Sequence, residues 1–231
     1  MKIRALGLLI TFSLLASSCD EFTLGDLTSA LTEEEVVAGL KEALNVGTDT
    51  AVFKGNALDG YFLNPKIKIP FPEEASIVKT VVESVPGGSL LVDEFIKQLN
   101  RAAEDAAEKA TPIFKDAILS ITFTDAFNIL NGVDTAATNY LRNQTFSSLY
   151  SAFKPDIENS LSAVGAQVAW ENIIDVYNSI PFTDPVSADL ADYTTNKGLN
   201  GLFILVGEEE VRIRNEASHQ VTDILQKVFG S

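Results

Sequence analysis

The sequence predicts an all-α protein, a multi-helix bundle with at most one short extended segment near residues 66–72. Three observations lead there. Apolar residues recur every three or four positions along most of the chain, the spacing that puts them on one face of a helix. Residues that start and stop helices separate these stretches. Only Lys66-Ile67-Lys68-Ile69-Pro70-Phe71-Pro72 alternates in period two, and its prolines suit an extended segment or edge strand. No fixed-period repeat is present, so a solenoid is not expected. With 231 residues, 46% of them hydrophobic, the chain is long enough to bury a substantial core.

The first stretch reads as an address. Lys2 and Arg4 form a short positive region, Leu6 to Leu15 an apolar one, and Ala16-Ser17-Ser18 supplies small residues before Cys19. An apolar run this short cannot span a bilayer as a permanent helix. Residues 1–18 are therefore expected to be a lipoprotein signal peptide, and Cys19, the one cysteine of the chain, the lipidated first residue of the mature protein. The signal departs from the usual pattern in placing Ala16 three residues before the cysteine, with Leu15 one further back. Residues 19–30 are expected to be a polar tether and 31–231 a single helical domain.

Within that domain, Thr32 and Glu35 form a capping box that opens a helix through Val36, Val37, Leu40 and Leu44. After the extended segment, helical spacing resumes near Glu73 and stops at Pro86-Gly87-Gly88. The longest helix is expected from about Ser89 to Ala110. Leu91, Phe95, Leu99, Ala102 and Ala106 form its inner face, and Glu104, Asp105, Glu108 and Lys109 its outer one. Its alanine-rich second half admits a close neighbour. Pro112 restarts a helix through Phe114 and Ile118, and a short one over 125–130 ends at Asn131-Gly132. Asp134 is expected to cap the next helix and Pro155 to break it. Further helices follow over 155–164, 166–180, 189–213 and 221–229.

Several stretches resemble a known family: Asn100-Arg101-Ala102-Ala103-Glu104, Pro112-Ile113-Phe114, the run Asn131 to Leu141, Gly201-Leu202-Phe203, Glu208-Glu209-Glu210, and Asp223 to Gly230. Together they are similar to a bacterial lipoprotein family catalogued as domain of unknown function four-one-nine-seven. Nearly all of the mature chain takes part in the resemblance, which implies the family but no activity. The chain departs from the family pattern at His219-Gln220, where an arginine is expected.

Charge and composition narrow the chemistry. Two of the 17 basic residues, Lys2 and Arg4, lie in the signal, and the remainder carries a formal charge of −17 against 32 acidic residues. Such a surface disfavours nucleic acid and anionic lipid, so membrane attachment is expected through the N-terminal lipid. His219 is the only histidine and no free cysteine would remain, which argues against a multi-histidine zinc site, thiol catalysis and a serine triad. Phosphate-binding glycine loops and dinucleotide fingerprints are also missing. No cofactor and no metal site is expected. Asp184, Asp189 and Asp192 lack calcium-loop spacing, and Asp189 suits a helix cap.

The polar residues that remain as candidates for a ligand site or a structural cluster are Asn100, Arg101, Asn131, Asp134, Thr135, Thr138, Tyr140 and Glu209. The run Asn131 to Tyr140 joins a helix end to a helix start, which serves either as an anion cradle or as an ordinary stop and cap. Arg101 suits an ion pair to the Asp134 region or to Glu209. Glu208-Glu209-Glu210 with Arg212 and Arg214 spaces acid and base four apart, the usual pattern of a solvated helix face. Two functions remain open. One is a non-enzymatic envelope module binding a protein partner or a small apolar ligand. The other is a carboxylate-based envelope hydrolase or lyase using Arg101.

Overall fold

The computed structural model describes residues 31–182 and 186–230; the expected signal peptide and tether, Cys19 and Asp184 lie outside them. The described residues form α1 (Glu33–Asn56), α2 (Ser76–Glu83), α3 (Gly88–Ala106), α4 (Ala110–Leu119), α5 (Phe123–Leu130), α6 (Ala136–Ala163), α7 (Ala166–Asn178), α8 (Leu190–Asn215) and α9 (Asp223–Phe229). Short 3-10 turns occupy 73–75, 107–109 and 217–219, and no strand occurs among the described residues. The protein is an all-α, multi-helix fold.

The helix ends follow local chemistry. Thr32 and Glu35 close the capping box at the start of α1, Thr122 and Asp125 form another before α5, and the Asp189 side chain caps α8. Lys227 from α9 also reaches Glu35, and this contact, with the Thr32 amide, holds the Glu35 carboxyl below its ordinary pKa.

Helix α8 is the hub, packed against α1, α3, α6 and α9. Its buried positions go round much of its circumference and include Leu199, Leu202, Phe203, Leu205 and Val206, which accounts for the apolar run at 199–206. Small residues let its neighbours come close. A Cβ at Gly198 would sit 3.4 Å from the Ala103 methyl on α3. One at Gly201 would lie 2.7 Å from the Tyr61 ring and 3.1 Å from Ile67. The alanine-rich half of α3 plays the same role, with Ala102, Ala103 and Ala106 all buried.

Several expectations need correction. The helix expected to be the longest, α3, has 19 residues and ends at Ala106, and α1, α6 and α8, with 24, 28 and 26, all exceed it. Glu104 does not join Asp105 and Glu108 on the outer face of α3: only 4% of it is exposed. Pro155 does not break a helix, because α6 runs unbroken from Ala136 to Ala163 around it. The proline removes the bond to the Ser151 carbonyl, yet both residues are exposed, so water can satisfy that oxygen. Phe153, Ile157 and Leu161 continue one buried stripe across the proline and hold the two halves in line.

The 66–72 segment keeps its alternation from 66 to 71, with Ile67, Ile69 and Phe71 buried and Lys66, Lys68 and Pro70 exposed, but it is extended only after Ile67: the Asn64 carbonyl accepts from the Ile67 and Lys68 amides in a turn, and Pro72 is buried beside Phe71. It is not an edge strand, because no strand lies beside it. A single side chain takes the place of one. Asn100 Oδ1 accepts from the Ile69 amide and Asn100 Nδ2 donates to the Ile69 carbonyl, both at 2.8 Å. The segment then delivers Phe71 against Phe95 and Trp170, with ring centroids 5.3 and 5.8 Å away.

Two substitutions test this packing in opposite directions by urea unfolding. Gly201→Ala forces Tyr61 and Ile67 aside and is expected to lower stability by about 1–3 kcal/mol. Pro155→Ala restores a helical hydrogen bond and is expected to raise stability by roughly 2 kcal/mol, the helix penalty of proline less its effect on the unfolded chain.

Candidate functional site

Three glutamates are buried among the described residues: Glu104, Glu209 and Glu210, with 4%, 4% and 8% exposure. A carboxylate withdrawn from water must recover its solvation from donors, so the groups around each one define what it does.

Glu104 holds a loop. Its Oε1 accepts from the amides of Tyr61 and Phe62, each at 3.1 Å, and its Oε2 accepts from Arg101 at 2.5 Å. Arg101 reaches on to Asp59 at 2.6 Å. Asp59 takes a left-handed backbone conformation, φ +67°, that turns the chain back after α1. The turn sends Tyr61 into the core, where its hydroxyl donates to the Gly198 carbonyl at 2.8 Å. Burial, with Glu104 nearby, pushes that hydroxyl's pKa far up. Asn100, Arg101 and Glu104 thus clamp the loop between α1 and α2 onto α3.

Glu210 caps a helix from across the fold. Its carboxylate accepts from the amides of Ala137 and Thr138 at 2.9 and 2.8 Å and from the Thr138 hydroxyl at 2.7 Å. Thr135 occupies the N-cap position of α6 but makes no side-chain cap bond. Arg214, one turn along α8, pairs with Glu210 at 2.9 Å and donates to the carbonyls of Ile129 and Leu130 at 2.9 and 3.3 Å. The negative member of the pair meets the positive end of the α6 dipole, and the positive member meets the negative end of α5.

Glu209 is held by Lys54 and Arg212, and Glu208 by Lys66 and Arg212. The pairs at i, i+4 form as the sequence suggested, Glu208 with Arg212 and Glu210 with Arg214. The solvated-face reading does not hold for Glu209 and Glu210, because α8 runs through the core.

The residues singled out in the sequence occupy several different settings. Asp134 is exposed and does not cap α6, whose free amides Glu210 has taken. Asn131 is exposed at the end of α5 and donates to the Phe127 carbonyl at 2.8 Å. Thr138 serves Glu210. Tyr140 is half-buried with its hydroxyl near Asp125 and Ser120, and burial followed by Asp125 raises its pKa. Arg101 pairs with Asp59 and Glu104, and not with the Asp134 region or Glu209. Arg101, Asp134 and Glu209, which a hydrolase or lyase would need in one place, each have separate surroundings.

Sequence reasoning missed Glu104, Glu210, Asp59, Arg142 and Asn200. Asp59-Gly60 carries a turn signature, and Arg101 with Glu104 has the spacing of a helical ion pair. Nothing local marks Glu210 as the cap of α6, or Asn200 as the partner of Arg142.

The available space is uneven. An open groove of about 600 Å³ lies along α6 and α8, bordered by Thr135, Arg142, Phe203, Ile204, Gly207 and Arg212, with Lys66 at its edge. A concavity of about 500 Å³ touches Asn131, Asp134, Phe127 and Phe229. The apolar space between α1, α8 and α9, lined by Leu40, Leu44, Ile213 and Phe229, holds about 20 Å³, room for a single water and not for an apolar ligand. Among the described residues, no three His, Cys, Asp or Glu side chains gather as a metal site, and no helix is long and apolar enough to cross a membrane.

The double role of Glu210 and Arg214 is testable in a double-mutant cycle followed by urea unfolding. Glu210→Ala leaves Arg214 and the α6 amides without their partner and is expected to cost about 3–5 kcal/mol. The Glu210→Ala, Arg214→Ala double variant is expected to lose less than the sum of the single losses, with a coupling of about 0.5–3 kcal/mol.

Comparison with curated proteins and with solved structures finds no match. Residues 30–230 match the family described as Protein of unknown function (DUF4197). The match includes the clamp at Asn100, Arg101 and Glu104, the α5–α6 junction and the acidic run of α8, and the chain belongs to that family.

Proposed function

We propose that this protein is a membrane-tethered envelope lipoprotein whose helical body is a non-enzymatic binding module. The observation that carries this reading is a division of labour among its polar groups. Glu104, Glu209, Glu210, Arg101 and Arg214 are engaged in holding the fold, while the groove between α6 and α8 stays open. Its volume of about 600 Å³ falls in the range of small-ligand sites, and its border mixes apolar with polar side chains. A small ligand suits this groove better than the cavity under α9, which is too small. The envelope location rests on the signal-like residues 1–18 and on Cys19, whose acyl chains would anchor the body without a spanning helix.

Native mass spectrometry of the protein purified from its host envelope tests both halves. The expected chain begins at Cys19, carries a lipid adduct that Cys19→Ala removes, and retains a recurrent small molecule. A chain without the adduct overturns the lipoprotein reading, and a body that is always empty overturns ligand binding.

A further inference from the structure

We propose that the α6–α8 groove binds an oxyanion, a carboxylate or phosphate group attached to an apolar moiety, with Arg142 as its anchoring residue. The inference rests on the binding-module reading and names the ligand class for the same groove.

Arg142 is unusual in this chain. Among the described residues Arg101, Arg212 and Arg214 each meet a carboxylate, and Arg142 meets none. This occurs in a sequence with 32 acidic side chains, where a carboxylate partner would be easy to supply. Its guanidinium is nevertheless fixed in place. It donates to Asn200 Oδ1 and lies 5.1 Å from the Phe146 ring centroid and 5.3 Å from that of Phe203. The two rings stack at 6.3 Å, so they form a platform beneath the charge. A guanidinium carries five N–H donors in a rigid fork, and Asn200 is the one acceptor that Arg142 meets. The rest of the fork is available to a planar or tetrahedral oxyanion, with little side-chain freedom left to lose on binding.

The surroundings fit that ligand. Lys66 and Arg212 add positive charge to the groove, against Glu208 and Glu216. Lys66 and Arg212 are already paired with α8 glutamates, which leaves Arg142 as the cation able to take a new partner. Ile204 and Val211, 43% and 37% exposed, form an apolar strip along α8 beside Gly207. A bare anion has no use for such a strip. An acyl or similar apolar group would cover it.

Equilibrium dialysis of the full chain against radiolabelled phosphate and, separately, octanoate tests the site and its source. The variants are Arg142→Gln, which removes the charge, and Ile204→Glu, which places an anion in the groove at an exposed position outside the core. Thermal melts check that both remain folded. Octanoate is expected to saturate one site per chain and to bind about tenfold more weakly in either variant. Octanoate binding tighter than phosphate supports an amphiphilic ligand. Equal binding of both, lost in Arg142→Gln, supports the oxyanion site and removes the apolar moiety. No binding of either probe overturns the proposal, as does binding that neither variant changes. If a native ligand is still retained when the variants bind normally, the binding module stands and this site for it falls.

Discussion

A carboxylate in a helical core has to be surrounded by donors, and much of this fold is arranged around three that are. Glu104, Glu209 and Glu210 lie buried on α3 and α8, and each is surrounded by hydrogen-bond donors there. Each takes an arginine three or four residues away on its own helix, and the donors from other parts of the chain are backbone amides for Glu104 and Glu210 and Lys54 of α1 for Glu209. Burying these charges therefore fixes which segments meet. The loop after α1 comes to α3 because its amides at 61 and 62 solvate Glu104, and α6 begins against α8 because its first free amides solvate Glu210.

The α5–α6 junction shows how this economy works. A helix that ends beside one that begins presents free carbonyls and free amides within a short distance, opposite needs that water usually meets. Here one acid and one base, a turn apart on α8, meet both. The junction is thereby bound to the centre of the molecule, and the short helix α5 gains a fixed position that eight residues would not hold through their own hydrogen bonds. Asn100 does similar work for the extended segment, giving one residue the pairing that a neighbouring strand would provide.

The residues that hold the fold are largely distinct from those that line the open groove between α6 and α8. The polar stretches that carry the family resemblance, around Asn100, Asn131 and Glu208, mainly serve the former. The groove between α6 and α8 takes its character from Arg142, Asn200, Phe203 and Ile204, side chains that meet only once those two helices pack. The chain's strong negative charge, formally −15, gives this fixed guanidinium added contrast with the rest of the surface.

The amino-acid sequence by itself determined the fold class, most helix boundaries and the inner faces, because these follow from spacing and capping within a few residues. Thr32 with Glu35, Asp189, and the alternation through Ile67, Ile69 and Phe71 all act locally and were legible for that reason. Tertiary structure alone decided that Pro155 sits inside a continuous helix, that Glu210 and not Asp134 caps α6, and that Arg101 turns to Glu104 and Asp59. Each of these outcomes depends on whether a group is buried and on which distant partner reaches it. A helical period describes one face of one segment, and it carries no information about the donor or acceptor that another segment brings to that face.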